Sequence, residues 1–130
     1  MDHQLVSVEE DRIARNIVAA AYKVHTKLGP GLLEGLYEVC FCHELEKIGL
    51  AYQRQLEIPI IYDGMKLPGF LRLDVLVEDL IICGLKAVER INEVYMAQLL
   101  IQLKLTGKRL GFLINFNVPL IKSGIKRLII

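Results

Sequence analysis

The chain of 130 residues lacks any apolar run approaching the roughly 18 consecutive residues of a membrane span, so an apolar content of 53% belongs to a core or an interface. It also lacks a run of like charge long enough to act as a tail. With 24% charged residues and a formal charge of +1, the totals neither demand nor exclude nucleic acid, because phosphate binding depends on a local basic patch. There is no even set of cysteines: the three present, with a polar opening Met1-Asp2-His3-Gln4 and no secretory segment, point to a reducing cytosol, a cytoplasmic protein and no disulfides. Cys40 and Cys42 diverge on a helix and no cluster has ligand spacing, which argues against zinc or iron–sulfur sites. Repeats and internal linkers are missing too, and the length suits one domain over residues 1–130.

What is present reads as alternating periodicities. Ser7-Val-Glu-Glu10 is a capping-box pattern, followed by Ile13, Ile17, Ala21, Val24 and Leu28 at helical spacing. Gly29-Pro30-Gly31 stops that helix, and a second follows with Leu33, Leu36, Tyr37, Cys40 and Leu45 among its apolar positions, closed near Ile48 by Gly49. From Tyr52 the period becomes two. Pro59 marks an edge or bulged strand, Asp63-Gly64 a tight hairpin, and a second strand sets Leu71, Leu73, Val75 and Val77 against Arg72, Asp74, Leu76 and Glu78. Leu80 to Val88 is a third strand. Asn92 caps a third helix through Thr106, apolar on most sides and therefore expected to pack on several, before Gly107. Arg109 to Phe116 and Ile125 to Ile130 complete a mixed sheet flanked by helices.

Asp74 lies on the polar face of one strand, while Gly84 and Lys86 share a face of its neighbour, with Cys83 opposite. Two carboxylates on adjacent strands beside a lysine would suit a metal-dependent phosphodiesterase, the acids holding Mg²⁺ or Mn²⁺ and the lysine offsetting charge at the phosphate. Gly84 leaves that set one carboxylate short. On residue types alone, Asp74 and Lys86 describe a cross-strand ion pair ahead of a metal site, and Gly84 a bulge or room for a neighbour.

Gly31-Leu-Leu-Glu34-Gly-Leu-Tyr37, Leu28-Gly29-Pro30-Gly31 after His25, Arg72-Leu-Asp74, Leu85-Lys86-Ala-Val-Glu89, Ala97-Gln98-Leu-Leu100, Lys104-Leu-Thr-Gly107 and Leu113-Ile-Asn-Phe-Asn-Val-Pro119 occur in that order. In these motifs the chain resembles the small GxxExxY proteins of the PD-(D/E)XK nuclease superfamily, over roughly residues 10 to 128. The resemblance implies an α/β fold of α+β mixed-sheet type with a restriction-endonuclease-like core. That core is a helix, three strands, a helix and a strand, here with an extra N-terminal helix. It implies Mg²⁺- or Mn²⁺-dependent hydrolysis of nucleic acid, DNA ahead of RNA. Asp74 matches the first metal-binding acid, Lys86 the catalytic lysine, Glu34 a helix-borne metal ligand, and Gln98 the glutamine of the RecB-like helix motif. Three positions depart: Gly84 stands in place of the metal-binding Glu, Gln102 in place of a tyrosine, and Tyr95 where related chains often carry histidine.

The resulting expectation is a nuclease-like protein, inactive or impaired at Gly84; Gly and Glu codons can differ by a single base. A residual nuclease using Asp74 and Glu34 and a non-enzymatic nucleic-acid-binding or oligomerisation module are the alternatives. Residue by residue, His25 reads as a solvated helix end and Tyr37 as core beside the Gly-Pro-Gly turn. Glu34 suits the positive end of its helix as well as a metal. Gln98 and Gln102 form a polar patch, at least one of them a buried amide bonded to backbone. Lys104, Lys108, Arg109, Lys122, Lys126 and Arg127 read as solvated cations or as the flank of a DNA groove. The crowded third helix and the apolar Leu128-Ile-Ile130 favour a homodimer.

Overall fold

Ser7 begins the first helix in the computed structural model, which describes residues 6–130, so Met1-Asp2-His3-Gln4 lies outside the described residues. Its hydroxyl accepts the Glu10 N–H at 3.0 Å and its own N–H donates to the Glu10 carboxylate at 2.8 Å, satisfying two amides freed at the helix start. This helix, α1 (Val8–Leu28), buries Ile13, Ile17, Ala21 and Val24, whereas Leu28 is exposed in its last turn. His25 is not a solvated cap. It is buried, with Nε2 2.7 Å from the Val118 carbonyl, a partner 93 residues away that local spacing cannot reveal.

Gly29 and Gly31 take φ of +65° and +115°, angles that side chains resist, and turn the chain into α2 (Glu34–Lys47). Tyr37 fixes the turn. Its hydroxyl donates to the Gly29 carbonyl at 2.6 Å and accepts the Leu32 N–H at 3.1 Å, while its buried ring stacks on Phe116 with 4.7 Å between centroids. The inward stripe of α2 is Tyr37, Phe41 and Leu45, a step of four; Leu33 and Leu36, expected on the apolar face, project to solvent. The helix closes with Leu50 N–H on the Leu45 carbonyl and Gly49 N–H on the Glu46 carbonyl, both at 3.0 Å.

A long antiparallel hairpin joins β1 (Tyr52–Tyr62) to β2 (Met65–Val77) through Asp63-Gly64, both at positive φ as a tight hairpin turn requires. β1 is an edge strand, and its register slips between Pro59 and Ile61, where proline has no N–H to give. β3 (Ile81–Lys86) pairs antiparallel with β2. The Asn92 side chain accepts the Val94 N–H at 2.8 Å to start α3 (Glu93–Thr106), which Gly107 ends, and β4 (Leu110–Asn115) then runs parallel to β3. A short turn of helix, α4 (Ile121–Gly124), leads into β5 (Ile125–Ile129), antiparallel to β4. The sheet order is β1-β2-β3-β4-β5.

One face of the sheet packs Val75, Val77, Ile81, Cys83 and Leu85 against α1 and α2. The other packs Leu76, Ile82 and Leu113 against Leu99 and Leu103 of α3. Two expectations are corrected here. Leu73 joins the α3 side instead of following Val75 and Val77; its β1 partner Leu56 packs on that same side, and Gln55, at φ +50° between Arg54 and Leu56, breaks the regular alternation of the hairpin there. And α3 is packed on one side only, burying just Leu99 and Leu103, since a helix laid on a sheet with nothing beyond it can bury only the facing stripe. Among the described residues no helix is long and apolar enough to cross a membrane.

Tyr37→Phe would leave the Gly29 carbonyl and the Leu32 N–H without their partner. The expected cost is about 1 kcal/mol, seen as a lower urea midpoint; an unchanged midpoint would mean that ring stacking alone holds the turn.

Candidate active site

The β2–β3 ladder runs Val77 to Ile81, Leu76 to Ile82 and Val75 to Cys83, and stops there. Beyond it the strands part, and the Asp74 carboxylate takes the place of a strand carbonyl, its Oδ2 accepting the Leu85 N–H at 2.8 Å. β3 itself continues in parallel register with β4 as far as Lys86 opposite Asn115. The fork is therefore between β2 and β3 alone.

Asp74, Gly84, Lys86, Tyr95 and Gln98 line one pocket of about 290 Å³ at this fork. The four strand and helix positions singled out in the sequence, Asp74, Gly84, Lys86 and Gln98, thus meet. Asp74 and Lys86 do not close a cross-strand ion pair; the ammonium lies 4.3 Å from the centroid of the Tyr95 ring, a cation–π contact. Glu34, the first residue of α2, approaches closely enough that the charges of Asp74 and Lys86 both act on its carboxyl. Gln98 is exposed on the pocket lining, whereas Gln102 is half-buried and donates to the Arg72 carbonyl at 3.4 Å.

Burial raises the Asp74 carboxyl above its usual range, while the Leu85 hydrogen bond and the Lys86 charge pull it back. Glu34 is raised too, by burial of one side first and by the negative charge of Asp74 next, with Lys86 and the Ala87 backbone N–H offsetting part of it. As a residue Glu34 is exposed, so its shift is screened more than that of Asp74.

Two supporting residues carried only faint signals in the sequence. Glu38, one helical turn after Glu34, is buried and accepts Arg54 Nε at 2.9 Å and Gln55 Nε2 at 2.8 Å, tying α2 to β1 beside Asp74. Asn115, the lone polar residue of a buried strand, accepts the Val88 N–H at 3.0 Å and the Asn117 N–H at 3.1 Å and donates to the Val88 carbonyl at 2.8 Å. It pins the segment that follows Lys86. The cations read as a possible DNA flank stand elsewhere: Lys108 pairs with Asp79 at 3.2 Å at the far end of β3, and Lys126 and Arg127 sit on β5.

The thiols take no part. Burial pushes Cys42 up to about 12 and Cys83 still further, so neither offers a thiolate. Among the described residues no three His, Cys, Asp or Glu side chains are grouped as metal ligands. Asp74 supplies hard carboxylate oxygens on the pocket lining, and Glu34, off that lining but close enough to feel its charge, a second carboxylate; one or two such groups suffice for Mg²⁺ or Mn²⁺ that keeps most of its water. The residues fit that kind of ion and not a closed cage.

Raised carboxyl values carry a definite sign. Stability is whole below the ordinary carboxylate range and declines as pH rises through the folded-state values, because the charged forms are the disfavoured ones. Glu34→Gln is therefore expected to match the unaltered chain below about pH 4 and to gain on it as pH rises through the folded-state range of Glu34. Urea midpoints at each pH read this out, and a difference independent of pH would remove Glu34 from the electrostatics of the fork.

The chain matches the model of the PD-(D/E)XK nuclease superfamily over residues 11–128. No curated protein and no solved structure is matched. The match spans the whole mixed α/β fold, from α1 to β5, with a five-stranded sheet consistent with a restriction-endonuclease-like core. The fork at Asp74 and Lys86 lies inside it, and the chain belongs to the PD-(D/E)XK nuclease superfamily.

Proposed function

We propose that this is a GxxExxY-type member of the superfamily whose metal-dependent hydrolysis of DNA is lost or strongly impaired at Gly84. The observation that carries the reading is that nothing in the backbone asks for glycine there. Gly84 is absent from the positive-φ glycines, and its register with Leu113 is unbroken, so neither a bulge nor a left-handed turn accounts for it. A Cβ at this position would meet Leu113 Cδ1 at 3.3 Å and the Phe112 carbonyl at 3.9 Å, so an acid there requires the tip of the buried Leu113 to yield by a few tenths of an ångström. Gly84 lines the pocket and brings no acid to it.

Asp74 and Glu34 are the residues that would hold Mg²⁺ or Mn²⁺, which when bound polarises a phosphodiester and activates water. Lys86 would offset charge on the phosphoryl oxygens, but its ammonium is engaged by Tyr95, which further supports an impaired site. The pocket also carries Phe70, with the Arg72 guanidinium 5.5 Å from its ring centroid, a pairing suited to a stacked base beside a phosphate.

Labelled single- and double-stranded DNA in Mg²⁺ or Mn²⁺ tests the reading with three proteins: the unaltered chain, Gly84→Glu, and Gly84→Glu with Asp74→Ala. Loss of a supporting group around a metal costs 10- to 100-fold, so restoring a ligand should raise cleavage by about a hundredfold or more, and the Asp74→Ala change should abolish it. Metal-dependent cleavage by the unaltered chain at the Gly84→Glu rate, lost on Asp74→Ala, would defeat the proposal in favour of a working nuclease. A folded Gly84→Glu protein that stays inert would shift the cause to Tyr95 and Gln102.

A further inference from the structure

The outer side of α3 has no cover within the described chain. Val94 is 49% exposed, Ile101 42% and Leu105 39%, with Ala97 exposed between them; Ile101 also lines the rim of the Asp74–Lys86 pocket, and the exposed Gln98 borders the stripe. At 3.6 residues per turn Val94, Ile101 and Leu105 fall within about 40° of one another, diametrically away from Leu99 and Leu103 that face the sheet. An apolar stripe of this kind suits an apolar partner, and the charges beside it indicate which.

We infer that α3 is a homodimer surface, on which a second copy of this chain pairs antiparallel about a two-fold axis that crosses the outer stripe midway between Glu93 and Leu105. In that arrangement Val94 of one copy meets Leu105 of the other, and the small Ala97 leaves room for Ile101. Glu93 and Lys104, both exposed, lie on the same flank of the helix, within about 20° of one another. A two-fold axis sets like flanks of antiparallel helices side by side, so Glu93 of each copy falls near Lys104 of the other, a reciprocal pairing made twice. Parallel pairing would set Glu93 level with its own counterpart and yield no such match. The outer face of α2, with Leu33, Leu36 and Val39 exposed, is the competing apolar surface.

The same symmetry has a consequence for the fork. Tyr95 and Gln102 lie on the flank of α3 opposite Glu93 and Lys104, so the two copies open their Asp74–Lys86 pockets on one side of the helix pair. The inference does not depend on whether either pocket still cuts.

Sedimentation velocity and light scattering of the full chain from about 1 µM to about 300 µM decide it. A concentration-dependent dimer is expected. Ile101→Glu, an exposed position whose folding is checked by circular dichroism, should raise its dissociation constant by about tenfold or more. Glu93→Lys or Lys104→Glu alone should weaken it by about threefold or more, and the double reversal Glu93→Lys with Lys104→Glu should recover the original affinity. That recovery separates a reciprocal antiparallel seam from simple apolar contact. A monomer at every concentration overturns the inference, as does a dimer indifferent to Ile101→Glu, one broken by Leu36→Glu alone, or a double reversal weaker than either single change.

Discussion

One carboxylate holds the fork of this sheet. Where β2 and β3 part, the Leu85 N–H would lose its partner, and Asp74 Oδ2 supplies one at 2.8 Å. A buried amide left unpaired costs about 1–3 kcal/mol, so Asp74 serves the fold as well as any chemistry. Gly84 stands differently. A glycine inside a strand costs about 0.5–1 kcal/mol, and here the parallel ladder to β4 continues through it unbroken. Structure therefore protects one acid of the pair and is nearly indifferent to the other. A member of this superfamily can lose catalytic competence at position 84 and keep its fold, which it cannot do as cheaply at position 74.

Lys86 is placed by constraints that owe nothing to a metal. The Phe116 N–H donates to its carbonyl at 2.9 Å, and two residues later Asn115 clamps Val88 through both its N–H and its carbonyl. The backbone on both sides of the lysine is thus fixed by β4, and Tyr95 then holds the ammonium. The arrangement is held together by the fold itself and does not depend on a bound metal.

Local signals were legible in the sequence and long-range ones were not. The Ser7 and Asn92 caps, the Asp63-Gly64 hairpin and the slip at Pro59 each depend on residues within a few positions, and each is where the spacing put it. The period of two likewise brought Asp74, Gly84 and Lys86 to a common pocket. Missed were the contacts closed by distant chain: His25 with Val118, Glu38 with Arg54 and Gln55, and Lys86 with Tyr95. The face of α2 was misjudged for a related reason. Leu33 and Leu36 are as apolar as Phe41 and Leu45, and only the position of the sheet decides which pair is covered.

The apolar composition of α3 reads as the mark of a helix buried on more than one side, yet the sheet takes only the Leu99 and Leu103 stripe. Its pocket flank carries Tyr95, Gln98 and Gln102, a mixture of aromatic and amide groups suited to a polar ligand. Its outer stripe of Val94, Ile101 and Leu105 is aliphatic, with Gln98 on its border and Ile101 shared with the pocket lining. One helix thus divides its circumference among core, pocket and open surface, and the third share is apolar without any packing requirement inside the described chain. Glu93 and Lys104 border that stripe at opposite ends of a single flank, the placement that the inferred antiparallel pairing would use and a parallel one would not.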